Sequence, residues 1–526
     1  MTTPRPFLSP ATRYGREWAP RVWTREDLHE LIQSHLGDHQ LIVVSNREPY
    51  IHHHAGGGIE CVRPASGMAA ALDPIMRAAG GVWIAHGGGN ADRQTVDSHD
   101  HINVPPDEPS YVLRRVWLTE AQENAYYYGL ANEALWPLCH ISFARPVFRP
   151  EDWQCYREVN EIFARTVLEE AGSKPTFVFI QDYHFGLLPR MLKAGNSNLI
   201  VAQFWHIPWP NREVFRALPW GEELLDGMLG NDLLGFHLDY HCQNFLDTVD
   251  RNIEAKVDQE RFEVTRGGKV TAVRSFPISI DFGHQSRMAK SEAVDLEMER
   301  QRKQFDLGDK FVGVGVDRLD YTKGIPERLL SIDRFLEQHP EYRKQLVFIQ
   351  VGVPSRTRIP RYKALSKEVA ELCDRINSRW GTDDWRPIVM LKEHLGPVEM
   401  MALHRLSQFC LVSSLHDGMN LVAKEFVASR FDEDGVLILS RFTGAARELG
   451  DALLVNPFSL EETADAILRA LEMAPEERRK RMQRMREAVA EQNVFWWAGT
   501  ILSTLAGFDF PEPAEREEAA AVCMPC

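Results

Sequence analysis

The sequence predicts an α/β protein made of two doubly wound, Rossmann-like parallel sheets in series, facing each other across a cleft. Three observations carry this. Short apolar runs without alternation recur along the chain, as strands covered on both faces require. Stretches of helical periodicity separate them, the pattern of successive crossover units. Near the middle a hairpin-like segment and a very polar stretch interrupt the alternation, which then starts afresh. A chain of 526 residues, 44% hydrophobic and 26% charged, is long enough for two cores.

In the first half the strand-like runs are "LIVVSN" (41–46), "VWIAHG" (82–87), "TFVFIQDY" (176–183), "LIVAQFWHI" (199–207) and "DLLGFHL" (232–238). Among the helical patterns between them, "YREVNEIFARTVLEEAG" places Val159, Ile162, Phe163 and Val167 on one face and ends in a glycine. "FEVTRGGKVTAVRSFPISI" reads as a hairpin around its Gly-Gly pair, and "HQSRMAKSEAVDLEMERQRKQF" as one exposed helix near a domain junction. The second half supplies "FVGVGVD" (311–317), "QLVFIQVGV" (345–353), "PIVML" (387–391), "FCLVSS" (409–414), "GVLILS" (435–440) and "ALLVNP" (452–457). The expected organisation is an N-terminal extension 1–39, a first domain 40–285, a second domain 286–490, a C-terminal helix 491–509 and a disordered tail 510–526.

Charge and composition exclude some classes. A formal net charge of -15 argues against a nucleic-acid binder and against a binder of acidic membranes. The N-terminus has no apolar core of a secretory signal, and the run Val494 to Phe508 is too short and too mixed to span a bilayer, so a cytoplasmic protein is expected. Eight scattered cysteines fit reduced core thiols; Cys523 and Cys526, on an acidic, Ala-rich tail, read as inert. Small molecules are the expected partners, and nothing in the sequence decides whether copies form a homo-oligomer.

Ligands of doubly wound sheets sit beyond the carboxyl ends of the strands, and polar residues gather there. Arg47 follows the first strand, Asp182 and His184 the third, and His206 ends the fourth, held by Pro208 and Pro210. Arg318 and Lys323 follow the first strand of the second half; five apart across a turn, they can bring two cations onto one diphosphate and stabilise it as a leaving group without a metal. "FCLVSSLHDGMNLVAKE" is strand, turn and helix start. Its first helical amides favour an oxygen-rich ligand, but Asp417 is an odd neighbour for phosphate. A nucleotide sugar reconciles the two, with Asp417 on sugar hydroxyls and Glu425 on another diol.

No Asp-x-Asp pair closes a strand, so neither a metal nor a cofactor is expected. "IHHHAGGG" (51–58) reads as a flexible loop rather than a zinc site. With "PASGMAAAL" (64–72), which includes Ser66 and Gly67, it is expected to form a mobile loop and helix start over the cleft. The absence of GxGxxG after these strands weighs against a dinucleotide oxidoreductase.

In order, "VVSNREP", "YYYGLANEALWPLCH", "QDYHFGLLP", "HIPWP", "DLLGFH", "DRLDYTKGIPERL", "PSRTRIPRY" and "DGMNLVAKEFVA" resemble the trehalose-6-phosphate synthases, retaining glucosyltransferases of the GT-B fold, over roughly residues 40 to 507. The resemblance implies transfer of glucose from UDP-glucose or another nucleotide-glucose to glucose 6-phosphate. It makes Arg318 and Lys323 the grips on the donor phosphates and Asp417 the partner of donor-sugar hydroxyls. The backbone of Gly418, Met419, Asn420, Leu421 and Val422 approaches sugar and diphosphate, with Glu425 on the ribose. His206 contacts the donor sugar, completing a catalytic set with Arg318, Lys323 and Asp417. Arg47, Tyr127, Trp136 and Arg356 resemble the acceptor's phosphate and sugar binders, with Asp182 at its hydroxyls. The C-terminal helix is expected to cross back to the first domain, as in that fold.

Three departures fall in the acceptor half: Ser66 replaces a glycine, His86 stands where a tryptophan is expected, and Gln181 where a histidine is common. The related glucosylglycerol-phosphate synthases, which use glycerol 3-phosphate, share "REPY" and are the alternative within the class; Tyr127 and Trp136 favour a sugar phosphate. A catalytically silent sensor would be expected to have lost some of Arg318, Lys323, Asp417 and Glu425, and all are present. No residue pair is an obvious nucleophile, which favours a front-face, oxocarbenium-like transfer over double displacement.

Overall fold

A computed structural model of the chain describes residues 22–35, 37, 39–64 and 67–510. Its first half carries β1 (Gln40–Arg47), β2 (Ile51–Ala55), β3 (Gly58–Val62), β4 (Val82–His86), β5 (His101–Val104), β6 (Tyr111–Val116), β7 (Thr176–Gln181), β8 (Leu199–Phe204), β9 (Leu233–Phe236), β10 (Lys256–Asp258), β11 (Glu263–Arg266) and β12 (Lys269–Ser275). The second half carries β13 (Phe311–Arg318), β14 (Leu346–Val353), β15 (Ile388–Leu391), β16 (Phe409–Val412), β17 (Val436–Ser440) and β18 (Leu453–Val455). Most runs expected as buried strands are so: Ile42, Val43 and Val44 of β1, and Phe409, Cys410 and Leu411 of β16, are fully buried, whereas β15 buries only Ile388 and β18 leaves Leu454 exposed.

The first sheet has the order β10-β11-β12-β9-β8-β7-β1-β4-β6-β5. It is parallel from β12 to β6, with antiparallel edges at β5 and at β10–β11. The second sheet, β15-β14-β13-β16-β17-β18, is parallel throughout. In each, the chain winds outward to one side and then to the other, so the order reverses once: between β1 and β7 in the first sheet and between β13 and β16 in the second. A crevice opens at such a reversal, because the connections leave to opposite faces. Arg47 ends β1, Asp182 follows β7, Arg318 ends β13, and Asp417 lies five residues beyond β16. Four of the site residues read from the sequence therefore stand at the two reversals.

The Gly267-Gly268 turn forms the expected hairpin between β11 and β12. The expected loop "IHHHAGGG" is instead the hairpin β2–β3, turned at Gly56 and Gly57 with φ 54 and 95. It is tied down because the buried Arg115 guanidinium contacts the His52 ring (2.8 Å) and the Tyr50 carbonyl (3.1 Å). Gly67 opens the helix Gly67–Ala79, whereas Ser66 lies outside the described residues. The polar stretch near the junction is not one exposed helix but two, Phe282–Met288 and Glu292–Gln304. Of its apolar residues, Ala289 and Val294 bury against Met401 and Ala402, while Leu296 is exposed.

The helix Val494–Leu505 packs on Arg25–His35 and Gly67–Ala79 of the first half. Asn493 secures its start, accepting from the amides of Phe495 and Trp496 and donating to the Trp23 carbonyl at 2.8 Å. Among the described residues no helix is long and apolar enough to cross a membrane, and the cysteines Cys61, Cys139, Cys155, Cys242, Cys373 and Cys410 are unpaired. Cys523 and Cys526 lie outside the described residues.

Candidate active site

At the first reversal β1 slips register between Ser45 and Arg47, bringing Arg47 opposite His86. Such an irregularity re-aims a side chain at a strand end, and the Arg47 guanidinium donates to the Tyr127 hydroxyl at 2.9 Å. Asp182 adopts φ 74, ψ 177, a strained setting for a residue with a Cβ. Its Oδ1 accepts from the amides of Tyr183 (2.9 Å) and His206 (3.2 Å). Burial outweighs these bonds and pushes the carboxyl up to about 7.

Tyr127 comes from an unusual element, a π-helix over Glu123–Leu135, and Trp136 directly follows it at the start of the helix Trp136–His140. Wide turns of this kind recur at functional sites, and here Asn132 braces one: its amide donates to the Tyr127 carbonyl at 2.7 Å and accepts from the Tyr183 hydroxyl at 3.0 Å. Burial raises the Tyr127 hydroxyl, but Arg47, then Arg356, and more distantly Arg318, bring it down to about 8.

Two cations of the second half reach the same place. Arg356 lies 3.9 Å and Arg318 5.8 Å from the centre of the Trp136 ring. Arg356 is not an open grip: it is buried, and its Nη1 donates to Asp320 (2.9 Å) and to the Tyr362 hydroxyl (2.6 Å). The Arg318 guanidinium makes no hydrogen bond or ion pair among the described residues, while Asp317 beside it is taken by Arg328 at 2.6 Å.

At the second reversal Lys323 Nζ meets Asp417 Oδ2 at 2.5 Å. Ser414 and Asn420 donate to the same oxygen at 3.2 and 3.3 Å. Burial works against the Asp417 carboxylate, but Lys323 overrides it and holds the group down to about 2. Oδ1 accepts nothing among the described residues. Asn420 has φ 92 and caps the helix Leu421–Ser429 by accepting from the Ala423 amide at 3.0 Å. Met419 is buried beneath the turn, and Leu421 lies against Gly67 across the gap. Val422 and Glu425 are half-buried on the helix. Burial alone raises the Glu425 carboxyl to about 6.

The halves meet closely here. A Cβ added at Gly418 would lie 2.5 Å from the His206 carbonyl oxygen, so only glycine allows this approach. His416 Nδ1 also donates to the His140 carbonyl at 2.7 Å. His206 lies between the two clusters. Its Nε2 faces Gln181 Oε1 at 2.9 Å, which places the ring proton on Nε2 and leaves Nδ1 a bare acceptor. Burial drives the ring down to about 3, keeping it neutral.

Several buried polar atoms have no hydrogen-bond partner among the described residues: Trp136 Nε1, both ring nitrogens of His184, Arg356 Nε and the Tyr321 hydroxyl. The His184 ring lies 4.2 Å from that of Tyr183 and stacks on Tyr127 at 5.8 Å. Unpaired buried donors are costly unless something supplies acceptors, and a phosphorylated polyol does so. Arg47, Tyr127, Trp136, Asp182, Arg318 and Arg356 thus gather in one cluster; His206, Lys323, Asp417 and Gly418 border it; Glu425 stands further along its helix. His184 was legible only as a polar residue at a strand end, and its part in the aromatic stack follows from the fold. The π-helix had no sequence signal.

Two facing doubly wound sheets, with cations and a carboxylate at both reversals, define a glycosyltransferase of the GT-B fold. Within that class the chain belongs to glycosyltransferase family 20, whose family model matches residues 39–507. It is 37% identical to the trehalose-6-phosphate synthase of Mycolicibacterium vanbaalenii, over 91% of this chain and 98% of that one. It is 34% identical to the UDP-forming alpha,alpha-trehalose-phosphate synthase of Botryotinia fuckeliana, over 89% and 88%. Among solved structures, one from E. coli bound with UDP-2-fluoro glucose superposes with TM-score 0.80 at 30% identity, covering 89% of this chain and 99% of that one. The alpha,alpha-trehalose-phosphate synthase of Burkholderia xenovorans in complex with glucose-6-phosphate also gives 0.80, at 28% identity and the same coverage.

Proposed function

We propose that this chain is a UDP-forming alpha,alpha-trehalose-phosphate synthase, moving glucose from UDP-glucose to glucose 6-phosphate with retained configuration. The observation that carries the reading is the abutment of Gly418 on the His206 carbonyl. It sets the Lys323–Asp417 pair of the second half against the aromatic cluster of the first, where Arg318 of the second half lies over Trp136. The relatives' names support both substrates.

Arg318 and Lys323 receive the diphosphate and neutralise the charge it gains as it leaves, a contribution largest where water is excluded. Asp417 offers Oδ1 to donor-sugar hydroxyls, and neutral His206 offers Nδ1 to another. Arg47, Tyr127, Trp136, His184 and Arg356 hold the acceptor phosphate and sugar, with Asp182 at its hydroxyls and Glu425 at the donor ribose. The departing phosphate takes the acceptor proton on the same face, so no enzyme nucleophile is used. The reaction runs in the cytoplasm on small-molecule substrates, with neither metal nor resident cofactor.

The test is to incubate the purified chain with UDP-glucose and glucose 6-phosphate in the presence of a chelator and to follow UDP release and the disaccharide phosphate formed. Glycerol 3-phosphate is the control acceptor. Turnover with glucose 6-phosphate is expected; turnover with glycerol 3-phosphate alone, or with neither, overturns the reading.

A further inference from the structure

His237, one residue beyond β9, has no part in substrate binding as proposed above, yet the His206 carbonyl, the Ile278 amide and Gly418 meet on its ring. Its Nε2 faces the His206 carbonyl at 3.0 Å. Its Nδ1 faces the Ile278 amide at 3.5 Å, at the outer limit of a hydrogen bond. Its Cδ2 lies 3.0 Å from where a Cβ on Gly418 would stand. A carbonyl only accepts and an amide only donates, so a single neutral tautomer, with the proton on Nε2, serves both neighbours. The ring is buried and packs edge-on against Phe204 at 4.9 Å, which fixes its plane.

Ile278 belongs to the segment between β12 and the helix Phe282–Met288, where the chain passes from the first sheet to the second. That segment is gripped again on its other side. Lys424, fully buried on the helix behind the donor turn, donates to the Ile278 carbonyl at 2.9 Å and pairs with Glu448 at 2.8 Å. Two residues on, the Ile280 carbonyl accepts from the Val494 amide at 3.0 Å. A continuous path of polar contacts thus runs from the donor helix through Lys424, the Ile278 peptide groups and His237 to the backbone of His206. Burying an ammonium ion here is costly unless it is paired, and Glu448 with the Ile278 carbonyl supplies that pairing.

We propose that His237 and Lys424 are positioning residues for glucosyl transfer: by holding the crossover segment at the Ile278 amide and carbonyl, they set the His206 loop against the donor turn when nucleotide binds. This rests on the reading of Asp417, Gly418 and His206 as the transfer site. Neither residue touches substrate, and each acts through His206 and the donor helix.

Two substitutions separate the arms of His237. In His237→Gln the terminal amide nitrogen falls near Nε2 and can still donate to His206, whereas in His237→Asn the side-chain oxygen falls near Nδ1 and keeps only the crossover arm. With UDP-glucose and glucose 6-phosphate, each variant breaks one arm of the bridge, and each is expected to lose about tenfold in kcat with KM for glucose 6-phosphate unchanged, the size of one lost hydrogen bond. A kcat within about threefold of the parent in either variant, or a loss confined to KM, overturns the proposal.

A second measurement needs no variant. Hydrogen exchange at the peptide containing Ile278 is followed in the parent with and without UDP. Slowing on UDP addition is expected, and unchanged exchange overturns the coupling. Because this readout uses donor binding alone, parent protein that binds UDP but fails to turn over glucose 6-phosphate refutes the proposed acceptor and leaves the positioning role to be decided by exchange.

Discussion

Gly418→Ala tests the contact on which the site depends. Gly418 is not at positive φ, so alanine meets no backbone penalty and its effect is steric. The added carbon would sit 2.5 Å from the His206 oxygen, against an ordinary closest approach of about 3.3 Å, so turn and loop must separate by about 0.8 Å. The turn has little room to retreat. Asp417 N donates to Phe442 O at 3.1 Å, Gly444 N to Asp417 O at 3.1 Å, and Ala445 N to Met419 O at 3.0 Å. Displacements near 1 Å at a reacting centre cost on the order of a hundredfold in rate, or about 2.7 kcal/mol of barrier. Overpacking adds about 1–3 kcal/mol of lost stability. UDP release under saturating substrates, with thermal melting alongside, is the assay. A variant within threefold of the parent in kcat and unchanged in Tm would show that the two halves do not meet as described, and the reasoning fails.

Replacing Asp417 by Asn leaves Lys323 without its partner; initial rates are expected to fall about a hundredfold, the scale of losing one preorganised electrostatic contact, and rates near the parent's refute the assignment. Trp136→Phe removes the orphaned Nε1 donor but keeps most of the ring under Arg356 and Arg318. KM for glucose 6-phosphate should rise about tenfold while Tm holds, and an unchanged KM counts against a ligand at that donor. Asp182 has a folded-state pKa raised to about 7, so the folded protein binds more protons than the unfolded one between roughly pH 4 and 7. Its contribution to stability is therefore present below that window and lost as pH rises through it. Melting curves across this range should fall less steeply in Asp182→Asn than in the parent; equal slopes contradict the buried carboxyl.

The strands were legible because burial on both faces leaves an unmistakable apolar run, as in "LIVVSN" and "FCLVSS". Arg47, Asp182, Arg318 and Asp417 were legible because polar residues directly after such runs have few structural reasons to be there. The hairpin β2–β3 was not, since its histidines and glycines carry neither strand alternation nor apolar content; the partner that orders it, Arg115, is more than fifty residues away in sequence. The π-helix Glu123–Leu135 was equally silent, because its wide turn is held by Asn132 and Tyr183 rather than by local propensity.

What the sequence determined by itself was the alternation of buried strands and helices, hence two parallel sheets, and the kinds of charge waiting at their carboxyl ends. Periodicity and residue type are local properties, and burial writes them directly into the chain. Which charges meet was decided only by the tertiary structure: Arg318 and Arg356 over Trp136, Lys323 on Asp417, Gly418 on His206, His237 between loop and crossover. Those pairings depend on where each sheet reverses its winding and on how closely two backbones can approach, and both are properties of chain segments far apart in sequence.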